Sequence, residues 1–380
     1  MIRIVEDGSI AACERYIWQL SAGPSALLLS EGLSYAACGG SAAVAQVVCT
    51  WARLAPDHPI VIHLPPRQTY TDFARRPFGL IAILMAGLIR GSEEQDIRRE
   101  AYEAAKRIVS AMDAYEYAAT MKGPGAFLLC ADETSLAYLS PFYDRGKIRD
   151  EREFARLAED ILTTSVNDAR EADVLRYAAD VGVMLRELID NTHRYARQDA
   201  EGRRYRKSVR GLQTQTHLVR PADVERLAGG YAPLSRYLQG ITEGFGSRQL
   251  QLLEVSVLDS GPGLAAHASG AALGDAVTIA AEQDLVQSRF WDTRHQYGRD
   301  GAGKGLRRTM RRLKAENGFL RLRTGRTSLF KDFAGAAASP LEPSDLILQD
   351  AETGSSAATA MARVEGTLLT MLIPLRKTRA

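Results

Sequence analysis

The chain has 380 residues, of which 46% are apolar and 25% charged, and its formal net charge is +2. That is room for two domains and a sizeable core, with the composition of an ordinary globular protein. The near-balanced charge excludes a global attraction to nucleic acid or to an anionic membrane and leaves only local patches to supply one. The four cysteines, Cys13, Cys38, Cys49 and Cys130, have no C-x-x-C and no metal-ligand spacing. They read as small buried residues of a reducing compartment. The start shows no signal-peptide pattern. The best membrane candidate, Phe78 to Ile89, is too short to span a bilayer and reads as a buried helix. A cytoplasmic protein is expected.

Residues 1–145 read as an N-terminal α/β regulatory unit. Ser25 to Leu29 is a buried strand, and Gly39-Gly40-Ser41 caps a helix from Ala42 to Leu54 that ends before Pro56. Pro59 to Leu64 is a second strand, closed by Pro65-Pro66. Strand, helix and strand with short connections predict a βαβ unit in a partly parallel sheet. His58 and His63 lack carboxylate or cysteine partners at ligand spacing and read as structural. Ser92 to Lys122 is a long helical pattern with Ser92 at its N-cap. Gly123-Pro124-Gly125 breaks it, and Phe127 to Cys130 forms a further short strand. Residues 146–164 are a charged helical linker.

The second unit, 165–380, opens on Leu185-Arg186-Glu187-Leu188-Ile189-Asp190-Asn191-Thr192-His193-Arg194-Tyr195. Val181, Met184, Leu185, Leu188, Thr192 and Tyr195 recur at helical spacing and bury one stripe. Glu187 and Asn191, four residues apart, then share the neighbouring face. A carboxylate and a carboxamide so placed can orient a water and hold a hard cation. His193 reads as a packed or hydrogen-bonded histidine.

Three later stretches extend the pattern. Leu252 to Leu258 is a strand running into Asp259-Ser260-Gly261-Pro262-Gly263, and Gly301-Ala302-Gly303-Lys304-Gly305-Leu306 opens a helix that carries Arg307, Arg308, Arg311, Arg312 and Lys314. Glycines there let backbone N–H groups reach an anion at the positive end of the helix. Gly366-Thr367 begins the apolar run Leu368 to Leu375. Ala334 to Ala360, rich in Ala, Ser, Gly and Pro, reads as a flexible loop.

An E-x-x-x-N helix, D-x-G-x-G after a strand, G-x-G-x-G-L before a helix and a late G-T strand, in that order, resemble the GHKL nucleotide-binding superfamily. Its members include gyrase B subunits, heat-shock chaperone ATPases, histidine kinases and the mismatch-repair ATPase MutL. The resemblance covers roughly residues 165–376 and implies an α/β protein. Its C-terminal part would be an α+β two-layer sandwich, a mixed Bergerat-type sheet covered by helices. An insertion at about 197–249 and a lid at about 264–300 follow from the same comparison.

The implied ligands are ATP and Mg2+. Asp259 would accept the exocyclic amine of adenine, while Gly261 and Gly263 let the backbone turn close to the base. Gly301, Gly303, Lys304, Gly305 and Leu306 would receive the phosphates, with Thr367 on the late strand. Asn191 would hold the metal, and Glu187 would orient or deprotonate the attacking water. Arg289, Arg294 and His295, in the lid, read as surface residues. The first unit is faintly similar to a STAS domain, the regulatory module of anti-anti-sigma factors, although Gly39-Gly40-Ser41 only loosely matches its phosphorylatable serine.

No histidine lies between His63 and His193, so the helices ahead of the second unit offer no phosphoacceptor. That argues against a sensor histidine kinase. The expected function is a magnesium-dependent ATPase whose nucleotide state moves the N-terminal unit, a protein partner bound there, or a second copy in a homodimer. The alternatives are a serine/threonine kinase of the anti-sigma type and a non-hydrolysing ATP-dependent binding module. The run Arg203-Arg204-Tyr205-Arg206-Lys207 reads as a solvated loop and not a nucleic-acid site, because one tyrosine makes no stacking platform.

Overall fold

The computed structural model describes every residue except 35–36, 133–136, 167–170, 246–249, 275, 292–303, 337–338 and 376–380. The chain is mixed α/β, with one parallel and one antiparallel sheet as its main frame. Among the described residues no helix is long and apolar enough to cross a membrane.

The first sheet holds β1 (Ile2–Ile4), β2 (Leu27–Ser30), β3 (Pro59–His63) and β4 (Leu88–Gly91), side by side in chain order and all parallel. Between β1 and β2 runs α1 (Ile10–Ser21), started by Ser9, whose side chain accepts the Ala12 N–H. Between β2 and β3 runs α2 (Gly40–Leu54), buried from Gly40 through Trp51. Next come α3 (Tyr70–Ala74) and α4 (Pro77–Met85), with Phe78 to Ile83 buried. The stretch expected to be a buried helix, Phe78 to Ile89, is one only as far as Met85, and Leu88 and Ile89 belong to β4. The long helix expected over Ser92–Lys122 is instead α5 (Arg98–Asp113) and the single turn α6 (Tyr117–Thr120). They part at Tyr115, which sits at φ 63°, outside helical space. Ser92 caps nothing; its hydroxyl stands 3.2 Å from His63 Nδ1.

The second sheet begins earlier than the sequence suggests. Its edge strand β5 (Gly125–Ala131) lies within the stretch read as the first unit, yet it pairs with β8 (Val209–Val219) along its length. After β5 come a short hairpin, β6 (Tyr143–Asp144) with β7 (Lys147–Ile148), then α7 (Glu151–Ser165) and α8 (Glu171–Tyr195). Asp150 and Glu153 close a capping box at the start of α7. Beyond β8 lie α9 (Val224–Ala228), α10 (Ala232–Phe245), β9 (Leu250–Asp259), α11 (Leu264–Ser269), α12 (Ile279–Trp291) and α13 (Lys304–Ala315). The chain ends with β10 (Phe319–Gly325), β11 (Thr327–Asp332), β12 (Gln349–Asp350) and β13 (Val364–Leu375).

The order across this sheet is β12-β11-β10-β13-β9-β8-β5. Every pairing is antiparallel, so the sheet expected to be mixed is not. The stretch 197–249, read as an insertion, supplies the interior strand β8 and the helices α9 and α10, whose Leu227, Leu234, Tyr237 and Leu238 form a core with Leu252, Phe319 and Leu372. The segment Ala334–Ala360, read as flexible, is tied down at buried Asp350, whose carboxylate accepts bonds from Thr353 and Thr359.

The two faces of the second sheet divide by residue parity, as a pleated strand requires. On β9, Val257 and Asp259 point towards α8, while Glu254 and Ser256 point towards the start of α2. Helix α2 therefore stands between the two sheets.

Candidate functional site

Helix α8 buries Val181, Met184, Leu185, Leu188 and Thr192, which leaves Glu187 and Asn191 at the edge of that stripe. Beside it, β9 ends at Asp259 and the chain turns through Ser260–Gly263. Gly366 closes this turn from the neighbouring strand: its N–H donates to Gly261 O at 2.7 Å. A Cβ on Gly366 would fall 1.8 Å from Asp259 O, and its φ is +72°. Only glycine fits there.

These elements enclose a pocket with an empty volume of about 530 Å³, part of it open to solvent. Leu188, Asn191, Thr192 and Tyr195 of α8 line it, with Val257 and Asp259 of β9, Pro262 and Gly263 of the turn, and Thr367 and Leu369 of β13. Leu264 and His267 of α11 and Leu306 of α13 complete the wall.

Asp259, half-buried, is the acidic group in a lining that mixes apolar residues with the polar Asn191, Thr192, His267 and Thr367. Burial pushes its carboxyl up to about 6, although the N–H groups of Gly261 and Thr367 and the charge of Arg53 pull the other way. Gly261 N donates to Oδ1 at 2.8 Å, which fixes the direction of the carboxylate. Across the pocket, the rings of Tyr195 and His267 lie 4.0 Å apart between centroids, tilted by 33°. Burial, with Arg289 nearby, lowers His267 to about 4, so its imidazole is neutral at physiological pH.

Of the residues picked out from sequence, the pocket brings together Asn191, Asp259, Gly263, Leu306 and Thr367. Gly261 lies in the turn behind Asp259. Glu187 does not line the pocket. Its Oε1 accepts from Arg308 Nη1 at 2.6 Å, and the same Nη1 reaches Glu151 Oε1 at 2.8 Å. Gly305 packs directly on Glu187, where an added Cβ would stand 2.6 Å from Oε2 and crowd the Glu187 side chain. Gly301, Gly303, Arg294 and His295 lie outside the described residues, as does the side chain of Lys304. The Asn191 side chain forms no hydrogen bond to another described residue. His193 is hydrogen-bonded as expected, its Nδ1 3.0 Å from the Tyr143 hydroxyl.

A comparison with protein families, with curated proteins and with solved structures finds no match.

Sequence reasoning missed several residues here. His267 is a lone histidine in a stretch read as a lid, with no local signal. Thr324 Oγ1 accepts the Leu264 N–H at 3.0 Å and stands 3.2 Å from Thr367 Oγ1, a contact that only the pairing of β10 with β13 creates. In the expected lid, α12 is anchored by fully buried Glu282, which accepts from Arg326 N and Nε, both at 2.7 Å. Tyr205, in the basic run, carries the Arg53 guanidinium 3.6 Å above its ring.

A second polar cluster lies on the opposite face of the sheet. Cys38, His217 and Glu254 are buried with their candidate ligand atoms within 4.8 Å of one another, although nothing in the cysteine spacing announced a cluster. Glu254 Oε2 accepts from Gly39 N at 2.8 Å and lies 2.7 Å from His217 Nε2, while Oε1 accepts from Ser256 Oγ at 3.1 Å. Burial disfavours a charged His217, but Cys38 and Glu254 outweigh it and hold its pKa at about 10. With both carboxylate oxygens taken by protein donors, the cluster is an ion-paired clamp between the start of α2 and the sheet.

Proposed function

We propose that the pocket binds an adenine nucleotide with Mg2+, in the manner of the GHKL ATPases and their Bergerat fold, and that the chain hydrolyses ATP to drive a conformational output. The observation that carries this reading is convergence. Asn191, Asp259, Gly263, Leu306 and Thr367 come from four sequence motifs up to 176 positions apart, and they line one pocket. A largely apolar cavity with one half-buried carboxylate suits a purine: the ring fills the apolar walls and Asp259 accepts its exocyclic amine. Asn191 has a side-chain oxygen with no partner among the described residues, which fits a hard cation that also takes phosphate oxygens. Such a cation would neutralise phosphate charge. Leu306 and Gly305 place the start of α13 beside the pocket, where a helix N-terminus favours an anion.

One observation favours a second reading, a nucleotide-binding module without rapid hydrolysis. Glu187, the group suited to orient water, is held by Arg308. Turnover on this geometry requires that contact to loosen once phosphates offer Arg308 another anion.

Calorimetric titration of ATP and GTP into the parent and Asp259→Ala tests the binding site. The expected result is ATP affinity in the parent, much weaker GTP affinity, and loss of ATP binding in the folded variant, on the order of 1.5–3 kcal/mol for a charged acceptor. Unchanged ATP affinity in Asp259→Ala overturns the assignment. Phosphate release with and without magnesium, run beside radiolabel transfer to protein, separates an ATPase from a serine/threonine kinase and from a binding module.

A further inference from the structure

Helix α2 is buried along nearly its whole length, yet it carries polar residues at i, i+4 and i+7: Gln46, Thr50 and Arg53. That spacing puts them on one face. Each bonds to the backbone at a different place around the second sheet. Gln46 Nε2 donates to Arg323 O on β10 at 3.0 Å. Thr50 Oγ1 accepts the Glu365 N–H of β13 at 3.1 Å. Arg53 Nη2 and Nε donate to Ser260 O at 2.9 and 3.2 Å, and Nη2 reaches Ser260 Oγ at 3.3 Å. Ser260 is the residue between Asp259 and Gly261, so the guanidinium grips the turn that aims the pocket carboxylate. The Tyr205 ring covers its other side.

Resting on the nucleotide-binding reading above, we infer that Arg53 is a positioning residue. It holds the Asp259–Gly261 turn in its nucleotide-accepting shape, and through α2 it couples the parallel sheet to the pocket. Three features give the inference content. The contact is bidentate and charge-assisted, which fixes direction as well as distance. Its donor is built on a helix that packs on β13 and also connects β2 to β3 of the parallel sheet. The principal acceptor is the Ser260 backbone carbonyl, which a side-chain exchange on the pocket side leaves in place. A ligand or partner that shifts α2 moves Ser260, and a nucleotide that tightens the turn resists that shift, a coupling that runs equally in both directions.

The charge of Arg53 also bears on Asp259, among the groups that surround it. These are Cys49 on α2, Glu365 on β13, Tyr205 in the loop before β8, and Tyr195 and His267 on the pocket walls. Glu365 is itself pushed up by burial, and Arg53 works against that rise. Removing the guanidinium therefore raises the pH at which Asp259 takes a proton, whereas a merely structural contact would leave that pH where it is.

The test uses the full chain with Arg53→Met and Arg53→Lys, after thermal melts establish that both are folded. ATP titrations from pH 5 to 8 give affinity and its pH midpoint; the phosphates titrate alike in every run, so differences between variants belong to the protein. The expected result for Arg53→Met is about a tenfold loss of affinity at neutral pH and a midpoint raised by roughly half a pH unit. Arg53→Lys should restore the midpoint but only part of the affinity, since it keeps the charge and loses the fork. Hydrogen exchange without nucleotide is the second arm: the Ser260 and Gly261 amides should exchange at least about tenfold faster in Arg53→Met while α2 stays protected. Parent-like midpoint and exchange in Arg53→Met overturn the inference. A parent that binds no adenine nucleotide overturns the functional reading instead, and exchange at the turn still decides whether Arg53 holds it.

Discussion

Arg308 bridges two carboxylates on different helices, reaching Glu187 at 2.6 Å and Glu151 at 2.8 Å through the same nitrogen. Glu187 is thus occupied in the structure, just beyond the pocket that Asn191 lines. The helical spacing that puts the two side chains on one face gives them different surroundings, so binding and turnover should separate on mutation.

Glu187→Ala should leave ATP affinity within about twofold of the parent and lower phosphate release by roughly 10²–10⁴, because a group acting on water contributes mainly in the transition state. Steady-state kinetics beside calorimetry measure both quantities. Parent-like release from Glu187→Ala removes the water-orienting role. Asn191→Ala should instead weaken magnesium-dependent binding and turnover together.

ATP affinity should fall as pH drops through about 6, the value to which burial raises Asp259. A carboxyl whose folded pKa lies above its unfolded value favours folding when protonated, so this group adds stability as pH falls from about 6 towards 4. Asp259→Asn should accordingly stabilise the apo protein at neutral pH, on the order of 1–3 kcal/mol, while losing the nucleotide. A urea titration at pH 7.5 showing no gain would contradict the assigned shift.

His217 gives the opposite sign. Its folded pKa of about 10 lies above the ordinary 6.5, so the pairing with Glu254 contributes fully below about pH 6.5 and is lost as pH rises through 10. Thermal melts across that window should show a falling Tm in the parent and a flatter line in His217→Gln. Glu254→Gln, which leaves the imidazolium buried and unpaired, should cost about 3–5 kcal/mol.

Gly366→Ala should be among the most damaging small substitutions in the chain. Both the positive φ and the collision with Asp259 O oppose it, at a cost of about 2–4 kcal/mol. Denaturation midpoints measure this directly, and a loss below half a kcal/mol would mean that the turn relaxes freely.

The pocket was more legible in the sequence than the sheet around it. Asp259, Gly263 and Thr367 stand where strand meets turn, and local patterns of Gly and Asp record such places. The partners of a strand leave no comparable mark. Phe127–Cys130 was readable as a strand, but nothing nearby says that it pairs with residues 209–215, some eighty positions on. Leu212–Val219 reads as a strand on its own, but nothing in it says that it lies inside the second sheet, between β5 and β9. Gln46, Thr50 and Arg53 read as ordinary polar positions on a helix, since only the second sheet turns that face inward.

The pairing of β5 with β8 has a consequence for anyone who divides this chain. A fragment starting at residue 146 keeps the pocket motifs but discards β5, and β8 then presents an open row of backbone donors and acceptors opposite Gly125–Ala131. It also uncovers the surface on which Phe127, Leu128 and Leu129 were fully buried. An unpaired edge of that length and apolarity recruits another strand, and the nearest supply is a second copy of the fragment. Self-association of such a fragment would report the missing strand and say nothing about how the whole protein assembles.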